Sequence, residues 1–324
     1  RVLWCGIRAL QRRYDFVRCI VYTGDCEFSP EQIMNRAKER FNIQLERPVH
    51  FVFLQKRRWV EAAMWPFFTL LGQSIGSMLL GFEALWKFVP DAYVDTMGYA
   101  FTYPLFKFIG GCKIGCYVHY PTISTDMLMK VKSREATYNN AATISRSLIL
   151  THAKLLYYKM FAFTYGMVGR CASVIMVNSS WTSNHVLQIW RKPNSTMIVY
   201  PPCDTTEFAK LENVSEDEKL KIIISIGQFR PEKNHKLQIC SFQDFLSNLQ
   251  VEDRSQYRLF LVGSCRNRED EKRVEDLMSL CKELEMSDYV QFHLNVPFPE
   301  LKKLLSHSSI GIHTMWNEHF GIGV

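Results

Sequence analysis

The chain has 324 residues, of which 47% are hydrophobic and 13% aromatic, and its formal net charge is +7. Because this is about twice the usual domain size, the length predicts two domains, and the apolar content excludes a disordered protein. The diffuse positive charge favours an anionic ligand or an anionic membrane surface. No zinc-finger, helix-turn-helix or RNP-type motif accompanies it, so no nucleic-acid partner is predicted.

The first 200 residues alternate apolar strands with helical stretches. Such alternation, with near-continuous apolar strands, indicates a parallel sheet covered on both faces. A helix start is marked by Ser29-Pro-Glu-Gln32, with Ser as the cap and Pro at the first helical position. The predicted strands are 16–25, 49–54, 92–97, 113–120, 173–178 and 197–200.

Two long apolar stretches interrupt this alternation. Residues 62–82 hold 21 positions without a charge, which is long enough to span a bilayer. Pro66 and several Gly, Ser and Gln residues lie within the stretch, so we weigh a buried helix, an interfacial helix and a transmembrane helix. The second stretch forms part of a helix predicted over 143–169, and it is either core or membrane-facing.

A domain boundary is predicted at Tyr200-Pro-Pro-Cys-Asp204, where two prolines end a strand and an acidic segment follows. A second alternation then starts, with strands at 221–227, 257–263, 289–296 and 310–315. The fold class is therefore α/β, with two doubly wound Rossmann-like domains, 1–200 and 201–324. Ligands of such sheets bind beyond the carboxyl ends of the strands, and we expect the site in a cleft between the domains.

Polar clusters follow the strands at these ends. The first is Val118-His-Tyr-Pro-Thr-Ile-Ser-Thr-Asp126, in which His119 is able to donate to a sugar hydroxyl. An ordinary capped loop is the alternative interpretation. The polar atoms that this loop offers besides His119 belong to Tyr120, Thr122, Ser124, Thr125 and Asp126.

Two basic clusters occur in the second half. In Gly227-Gln-Phe-Arg-Pro-Glu-Lys-Asn-His235, Arg230 and Lys233 stand on a turn into a helix, where cations and the helix N-terminus favour a diphosphate. In Gly263-Ser-Cys-Arg-Asn-Arg-Glu-Asp270, small residues precede two arginines. A solvated charged turn and a plain helix cap are the respective alternatives.

The last twelve residues, His313-Thr-Met-Trp-Asn-Glu-His-Phe-Gly-Ile-Gly-Val324, place an acid, Glu318, before two glycines. Backbone amides at Gly321 and Gly323 can approach a ligand closely, which is typical of a sugar and phosphate site. The alternative is a loop with structural glycines. No Asp-x-Asp pair, Walker loop, Gly-x-Ser-x-Gly or His-Glu-x-x-His motif is present, so neither a metal nor another cofactor is predicted.

Together these motifs resemble the retaining GT-B glycosyltransferases. Within them the chain is similar to the GDP-mannose-dependent α-1,2-mannosyltransferases of dolichol-linked oligosaccharide synthesis. The resemblance covers the whole chain and is most specific around His119 and Glu318. It implies a GT-B fold, no metal, and transfer of mannose from GDP-mannose to a trimannosyl dolichyl-diphosphate oligosaccharide in N-glycan precursor assembly.

The resemblance also implies a location and partners. The location is the cytosolic face of the endoplasmic reticulum membrane, which agrees with ten scattered cysteines that form no Cys-x-x-Cys pair. Residues 1–200 would face the acceptor and the membrane, and residues 201–324 would bind the nucleotide sugar. Other mannosyltransferases that act on lipid-linked oligosaccharides are further implied partners.

By the same resemblance, His119 contacts the transferred mannose, Arg230 and Lys233 hold the diphosphate, and Glu318 faces the donor sugar. The donor-binding set is completed by Gly263, Phe320, Gly321, Ile322 and Gly323. The chain departs from the family pattern at Gln228, where an Arg is common. We interpret the chain as a fragment, because a glycine-rich loop expected before Arg1 and a second acid expected after Val324 are not in it. The alternatives are a GT-B transferase that uses another nucleotide sugar and a catalytically inactive GT-B scaffold.

Overall fold

The computed structural model describes residues 1–41, 43–132, 148–203, 205–206, 208–211, 220–315, 318 and 320–321. The chain divides into two compact units, Arg1–Pro202 and Cys203–Val324. All strand pairs in the described residues are parallel, which confirms the predicted α/β class.

The first unit contains two separate parallel sheets. Strands β1 and β2 form a pair that packs with α1 around Ile7, Val21 and Phe51. The larger sheet has the order β3-β4-β5-β6. The elements are α1 (Val2–Arg13), β1 (Ile20–Thr23), α2 (Pro30–Phe41), β2 (His50–Phe53), α3 (Thr69–Lys87), β3 (Ala92–Asp95), β4 (Lys113–Val118), α4 (Thr125–Lys132), α5 (Leu148–Gly169), β5 (Val174–Val177), α6 (Ser180–Trp190) and β6 (Thr196–Ile198).

Helix α3 starts seven residues later than the apolar stretch from which it was predicted. The chain first makes short 3-10 turns, passes Pro66, and places Phe68 in the left-handed region at φ 52°. These features delay the helix until Thr69, because a proline biases the residue before it away from helical geometry and a left-handed residue interrupts the right-handed path. The helix then continues through the charged residues Glu83 and Lys87.

The small residues of α3 line its inner face. Gly72, Gly76 and Gly81 are buried, and a Cβ at Gly76 would collide with the carbonyl oxygen of Trp59. The polar and small residues of the apolar stretch therefore serve close packing. The opposite face carries exposed large side chains, namely Leu71, Ile75, Leu79, Phe82 and Trp86.

Helix α5 has a similar division. Phe161 and Tyr165 are buried, and Tyr165 packs edge-on against Trp190 of α6, with ring centroids 5.3 Å apart. Leu156, Met160, Phe163 and Met167 are exposed at helical spacing on the other side. Within the described ranges, none of the helices combines the length and the apolar character that crossing a bilayer requires.

In its described residues, the second unit contains a four-stranded parallel sheet of order β10 (Ser308–Gly311), β7 (Lys221–Ile226), β8 (Tyr257–Gly263) and β9 (Val290–Leu294). One core cluster includes Phe229, Ile239 and Leu259, and another includes Ile222 and Phe260, so apolar clusters cover both faces of the sheet. This is the expected doubly wound arrangement. The elements are β7 (Lys221–Ile226), α7 (His235–Ser247), α8 (Val251–Arg254), β8 (Tyr257–Gly263), α9 (Arg268–Glu283), β9 (Val290–Leu294), α10 (Phe298–Ser306) and β10 (Ser308–Gly311).

Candidate functional site

Polar side chains gather at the carboxyl edge of each sheet, because parallel strands end on the same side. In the second unit, Ile226 of β7 pairs with Val262 of β8, and Gly263 pairs with Leu294 of β9. In the first unit, Val118 of β4 pairs with Val177 of β5, which pairs with Ile198 of β6. The loops that leave these residues therefore begin side by side within each sheet.

Lys233 lies on a short 3-10 turn, Pro231–Lys233, between β7 and α7. Asn234 follows in the left-handed region at φ 49°, which turns the chain into the helix. A Cβ at Gly227 would lie 3.5 Å from the methylene carbons of Lys233, so the lysine side chain runs close over the glycine backbone. Its Nζ atom lies 3.3 Å from a carboxylate oxygen of Glu318.

Glu318 accepts hydrogen bonds at both carboxylate oxygens. Oε2 accepts from Nε2 of His313 at 2.8 Å and from Nζ of Lys233 at 3.3 Å, and Oε1 accepts from the amide of Gly321 at 3.2 Å. Burial alone would raise the pKa of Glu318, but the His313 hydrogen bond and the Lys233 charge outweigh it and lower the pKa to about 2. The carboxylate is therefore ionised throughout the physiological range.

Thr314 ties the two loops of this cluster together. Its hydroxyl donates to the carbonyl oxygen of Lys233 at 2.7 Å and accepts from Nε2 of Gln238 at 2.9 Å. Gln238 is buried in α7, so the segment after β10 is hydrogen-bonded both to the lysine turn and to the helix behind it. The positions of Lys233 and Glu318 are thereby coupled through backbone as well as through charge.

Gly263 ends β8 where no side chain fits, since a Cβ there would collide with the carbonyl oxygen of Gly227. The amide of Cys265 donates to Oδ1 of Asn295 at 3.0 Å, which joins this loop to the end of β9. Gly263 was predicted as a donor-binding residue. In the structure its glycine character is required by packing between the two strand ends.

Arg230 has different partners from Lys233. Its Nη1 atom donates to Glu232 at 3.3 Å, and its buried Nε atom finds no hydrogen-bond partner among the described residues. Burial would raise the pKa of Asp270, but hydrogen bonds from Arg266 and the charges of Arg266 and Arg230 lower it. Arg230 therefore belongs to a second charged group beside Arg266 and Asp270, and the structure does not bring it into the Glu318 ion pair.

Of the four remaining predicted residues at the chain's end, the structure describes Phe320 and Gly321. Gly321 contributes the amide that reaches Glu318. Phe320 is half-buried. Ile322 and Gly323 lie outside the described residues.

In the first unit, His119 follows β4 directly. Its ring lies 4.8 Å, between centroids, from that of Tyr117, and the Tyr117 hydroxyl donates to the carbonyl oxygen of Val199 at 2.8 Å. The residue is exposed, yet desolvation of the imidazole lowers its pKa. A neutral ring at the sheet edge is suited to hydrogen bonding with hydroxyl groups, because it offers one donor and one acceptor.

The loop after His119 is attached to α5 and α6. The amide of Thr122 donates to the Tyr165 hydroxyl at 3.3 Å, and the ring of Tyr120 stacks on Trp181 with centroids 5.3 Å apart. Ser124 is fully buried, and its hydroxyl accepts from the amide of Met127 in the first turn of α4. Of the polar atoms predicted to face a sugar, that of Ser124 is thus used inside the protein.

His185 is a residue that sequence reasoning missed. Its Nδ1 atom lies 2.7 Å from Oγ1 of Thr125, and its Nε2 atom lies 3.5 Å from Oδ2 of Asp126. Trp181, one turn earlier on α6, packs edge-on against it at 4.1 Å between centroids. The sequence did contain a signal for it. Trp181 and His185 are four residues apart on the helix that follows β5, so their side chains lie on the same helix face, beside the end of the neighbouring strand β4.

Asp95 is the acid at the end of β3. Its Oδ1 atom accepts from the amides of Met97 and Gly98 at 2.8 and 3.2 Å, and its Oδ2 atom accepts from the Tyr103 hydroxyl at 2.7 Å. Burial raises its pKa although these hydrogen bonds oppose the rise. Both oxygens are thus used within the segment that leaves β3, and Asp95 has a structural role.

The described residues contain no group of three or more His, Cys, Asp or Glu side chains that could hold a metal ion. Metal independence stays a prediction. The chemistry available from the described cluster in the second unit is that of an ammonium, a histidine and a backbone amide around one carboxylate. Such groups bind and orient polar ligands through charge-assisted hydrogen bonds.

Two family models match the chain. The model described as ALG11 mannosyltransferase N-terminus matches residues 1–190, and the model described as glycosyl transferases group 1 matches residues 207–324. The GDP-Man:Man(3)GlcNAc(2)-PP-Dol alpha-1,2-mannosyltransferase of Homo sapiens is 55% identical over 327 residues, which cover 100% of this chain and 66% of that protein. The protein of the same name from Dictyostelium discoideum is 48% identical over 330 residues, which cover 100% of this chain and 65% of that protein.

Solved structures resemble the fold at low sequence identity. A glycosyltransferase from Rickettsia africae has a TM-score of 0.54 at 11% identity, with 97% of this chain and 68% of that chain covered. The apo structure of OtsA has a TM-score of 0.62 at 11% identity, with 94% of this chain and 79% of that chain covered. These likenesses confirm the predicted GT-B class with two Rossmann-like units.

Proposed function

Because the chain belongs to the ALG11 mannosyltransferase family, we propose that the whole protein transfers α-1,2-linked mannose from GDP-mannose to a trimannosyl dolichyl-diphosphate oligosaccharide. The chain spans 66% of the human relative's length, so the activity is proposed for the full-length protein. In this reaction the bond between mannose C1 and the diphosphate breaks. A new bond forms from C1 to an acceptor hydroxyl oxygen, and the hydroxyl proton is released.

The observation that carries this proposal is the cluster of Lys233, Glu318 and the Gly321 amide at the carboxyl edge of the second sheet. A departing diphosphate gains negative charge as the C1–O bond breaks, and a positioned cation stabilises that charge. We assign this task to Lys233. Glu318, which is ionised at all physiological pH values, would accept hydrogen bonds from donor sugar hydroxyls.

Further roles are assigned to one residue at each sheet edge. His119 would contact the transferred mannose, since it is exposed at the end of β4 and desolvation favours its neutral form. Arg230 would contribute charge to the nucleotide diphosphate from the neighbouring group. Its buried Nε atom, which has no partner in the part of the chain that the structure describes, is a donor that a ligand oxygen would satisfy.

Transfer is tested with the full-length protein, GDP-mannose labelled in the sugar, and the trimannosyl lipid acceptor. We expect labelled lipid from the wild type and from Lys236→Ala, which replaces an exposed lysine in the first turn of α7 and serves as the matched control. Lys233→Ala should lose most of the product. Equal product from both lysine variants would contradict the assignment of Lys233.

The two alternative functions give different results in the same assay. Product from UDP-linked sugars, with competition by UDP and none by GDP, would indicate another donor. Nucleotide binding without transfer in the full-length protein, across several detergents, would indicate an inactive scaffold.

The location on the endoplasmic reticulum membrane is also a proposal, and the outer faces of α3 and α5 support it. Trp86 is 93% exposed and Phe163 is 67% exposed. Exposed large apolar side chains that recur along a helix face mark an interaction site, and aromatic side chains favour the membrane interface. Lys107 and Lys154 lie in the same unit and would face anionic headgroups.

Vesicle flotation tests this surface. We expect the wild type to float with vesicles of phosphatidylcholine and phosphatidylserine, and the double variant Trp86→Ser, Phe163→Ser to bind them several-fold less. Val251→Ser removes an apolar residue of the second unit that is 71% exposed, and it should bind like the wild type. Equal flotation of all three proteins would contradict the assigned surface.

A further inference from the structure

His313 makes the shortest hydrogen bond to the Glu318 carboxylate among its three described donors. The distance from His313 Nε2 to Oε2 is 2.8 Å, against 3.3 Å from Lys233 and 3.2 Å from the Gly321 amide. Because the carboxylate oxygen is an acceptor, Nε2 of His313 carries the proton. None of the sequence motifs considered above gave His313 a role of its own.

The residues on either side of His313 in the chain are both anchored. The amide of Ile312 donates to the carbonyl oxygen of Ile224 at 2.8 Å, which extends the pairing of β10 with β7 up to the preceding residue. Thr314, the following residue, is hydrogen-bonded to the carbonyl oxygen of Lys233 and to Gln238. His313 therefore projects from a short segment that is anchored to the sheet and to the lysine turn.

Under the proposed function, two anions compete for the ammonium group of Lys233. In the described structure its ammonium lies beside Glu318, yet the same ammonium is assigned to the donor diphosphate. A diphosphate carries more negative charge than one carboxylate, so donor binding would draw the ammonium away from Glu318 or divide it between the two anions. Glu318 would then lose one stabilising partner while a second anion arrives nearby.

We propose that His313 is a positioning residue that holds Glu318 in place for the donor sugar while Lys233 engages the diphosphate. This inference rests on the proposed function and deepens it. It assigns a division of labour: Lys233 serves the leaving group, and His313 serves the carboxylate that faces the sugar. His313 should therefore matter for binding the sugar part of the donor and little for binding the nucleotide part.

The first test measures the affinity of the full-length protein for GDP and for GDP-mannose by calorimetry. We expect His313→Ala to bind GDP within about twofold of the wild type and GDP-mannose roughly tenfold more weakly, with a similar fall in kcat/KM, because a hydrogen bond to a charged group is lost. His307→Ala, on the same unit, is the control and should match the wild type. Equal loss for GDP and GDP-mannose, or no loss for either, would overturn the proposal.

Two amide variants separate positioning from a merely structural role. The Gln side-chain nitrogen reaches the position of His Nε2, whereas that of Asn is too short to do so. We therefore expect His313→Gln to restore GDP-mannose affinity to within about threefold of the wild type and His313→Asn to behave like His313→Ala. Restoration by both amides or by neither, with all melting temperatures unchanged, would contradict the proposal.

A double variant tests whether His313 acts through Glu318. If it does, Glu318→Ala combined with His313→Ala will bind GDP-mannose no more weakly than Glu318→Ala alone. Losses that multiply would overturn the proposal. A wild type that binds GDP but does not distinguish GDP-mannose from GDP would overturn the proposed function and this inference together, whereas a normal wild type with an unaffected His313→Ala overturns only the inference.

Discussion

Asp95 lies at the edge of the first sheet and Glu318 at the edge of the second, and their pKa values are shifted in opposite directions. Asp95, in the first unit, is buried among a tyrosine hydroxyl and backbone amides, and its pKa is raised by desolvation. Glu318, in the second unit, is also partly buried, but His313 and Lys233 lower its pKa to about 2. The difference shows that a tyrosine hydroxyl and backbone amides suffice to hold a structural carboxyl group, whereas a short side-chain hydrogen bond and a nearby lysine charge keep a carboxylate ionised at a site.

The same contrast extends to the residues around the two acids. At the first edge the described contacts are mainly ring stacking, such as Tyr120 on Trp181, and hydrogen bonds of neutral groups, together with the approach of His185 Nε2 to the Asp126 carboxylate at 3.5 Å. At the second edge they are ion pairs and charge-assisted hydrogen bonds. A hydroxyl-rich acceptor suits the first chemistry and a nucleotide diphosphate suits the second.

The largest expected effects come from replacing Lys233 at the second edge and His119 at the first edge. Lys233→Ala should lower kcat/KM by roughly 10²-fold to 10³-fold, about 3–4 kcal/mol, since it removes a preorganised charge. The affinity for GDP should fall as well.

His119→Ala should lower kcat/KM while its GDP affinity, measured by calorimetry, stays that of the wild type. A fall in GDP affinity in both variants would contradict the assignment of different roles to the two edges.

The pH dependence of stability should have opposite signs for the two acids. Glu318 has a depressed pKa, so its contribution is present above its ordinary pKa of 4.5 and is lost as pH falls toward 2. It amounts to at most about 3 kcal/mol. Asp95 has a raised pKa, so its contribution is present below its ordinary pKa of 3.8 and is lost as pH rises through the higher value of the folded state.

Urea unfolding between pH 2 and pH 7 checks these signs. Relative to the wild type, Glu318→Gln should lose more stability at pH 7 than at pH 2.5. Asp95→Asn should show the reverse trend. Parallel curves for both variants and the wild type would show that neither carboxyl group is linked to folding in the stated direction.

A smaller effect is expected from replacing His185, which holds the loop after His119. His185→Ala removes the hydrogen bond to Thr125 and the ring that packs on Trp181, so the loop after His119 should lose its fixed position. We expect roughly a tenfold fall in kcat/KM, about 1.4 kcal/mol, through a higher KM for the lipid acceptor. GDP affinity is the control and should not change; a selective loss of GDP binding would contradict this role.

The smallest effect is expected from single hydroxyl groups. Thr125→Val and Thr314→Val each remove one hydrogen-bonding hydroxyl, the first beside His185 and the second beside Lys233. Each should cost about 1 kcal/mol in unfolding free energy. Nucleotide affinity should fall only in Thr314→Val, and a fall in both variants would show that the loops are not independent supports.

Much of the fold and part of the site were predictable from the sequence. Alternating apolar strands and helices predicted the parallel sheets, and the predicted strand ends precede Lys233 and Glu318, whose side chains the structure brings within 3.3 Å of each other. The bond from His185 to Thr125 was not predictable, because it joins residues 60 positions apart. Partner choice of this kind depends on where helices pack, which local composition does not encode.

Three particular residues show the limit more closely. Arg230 and Lys233 are equivalent by composition and spacing, yet the structure pairs Arg230 with Glu232 and Lys233 with Glu318. Asp95 lies within the predicted strand 92–97, but its enclosure by Tyr103 follows from the path of the chain after β3. Charge type can be read from the sequence, whereas the partner of each charge requires the tertiary structure.

The two faces of α3 have a practical consequence for producing the protein. Because the inner face packs through glycines against the turn that contains Trp59, nearly every substitution there will harm folding. The outer residues Ile75, Phe82 and Trp86 have large exposed surfaces and can be replaced by polar residues at a cost of about 0.5 kcal/mol or less each. Such a variant should expose less apolar surface to solvent while its interior stays native.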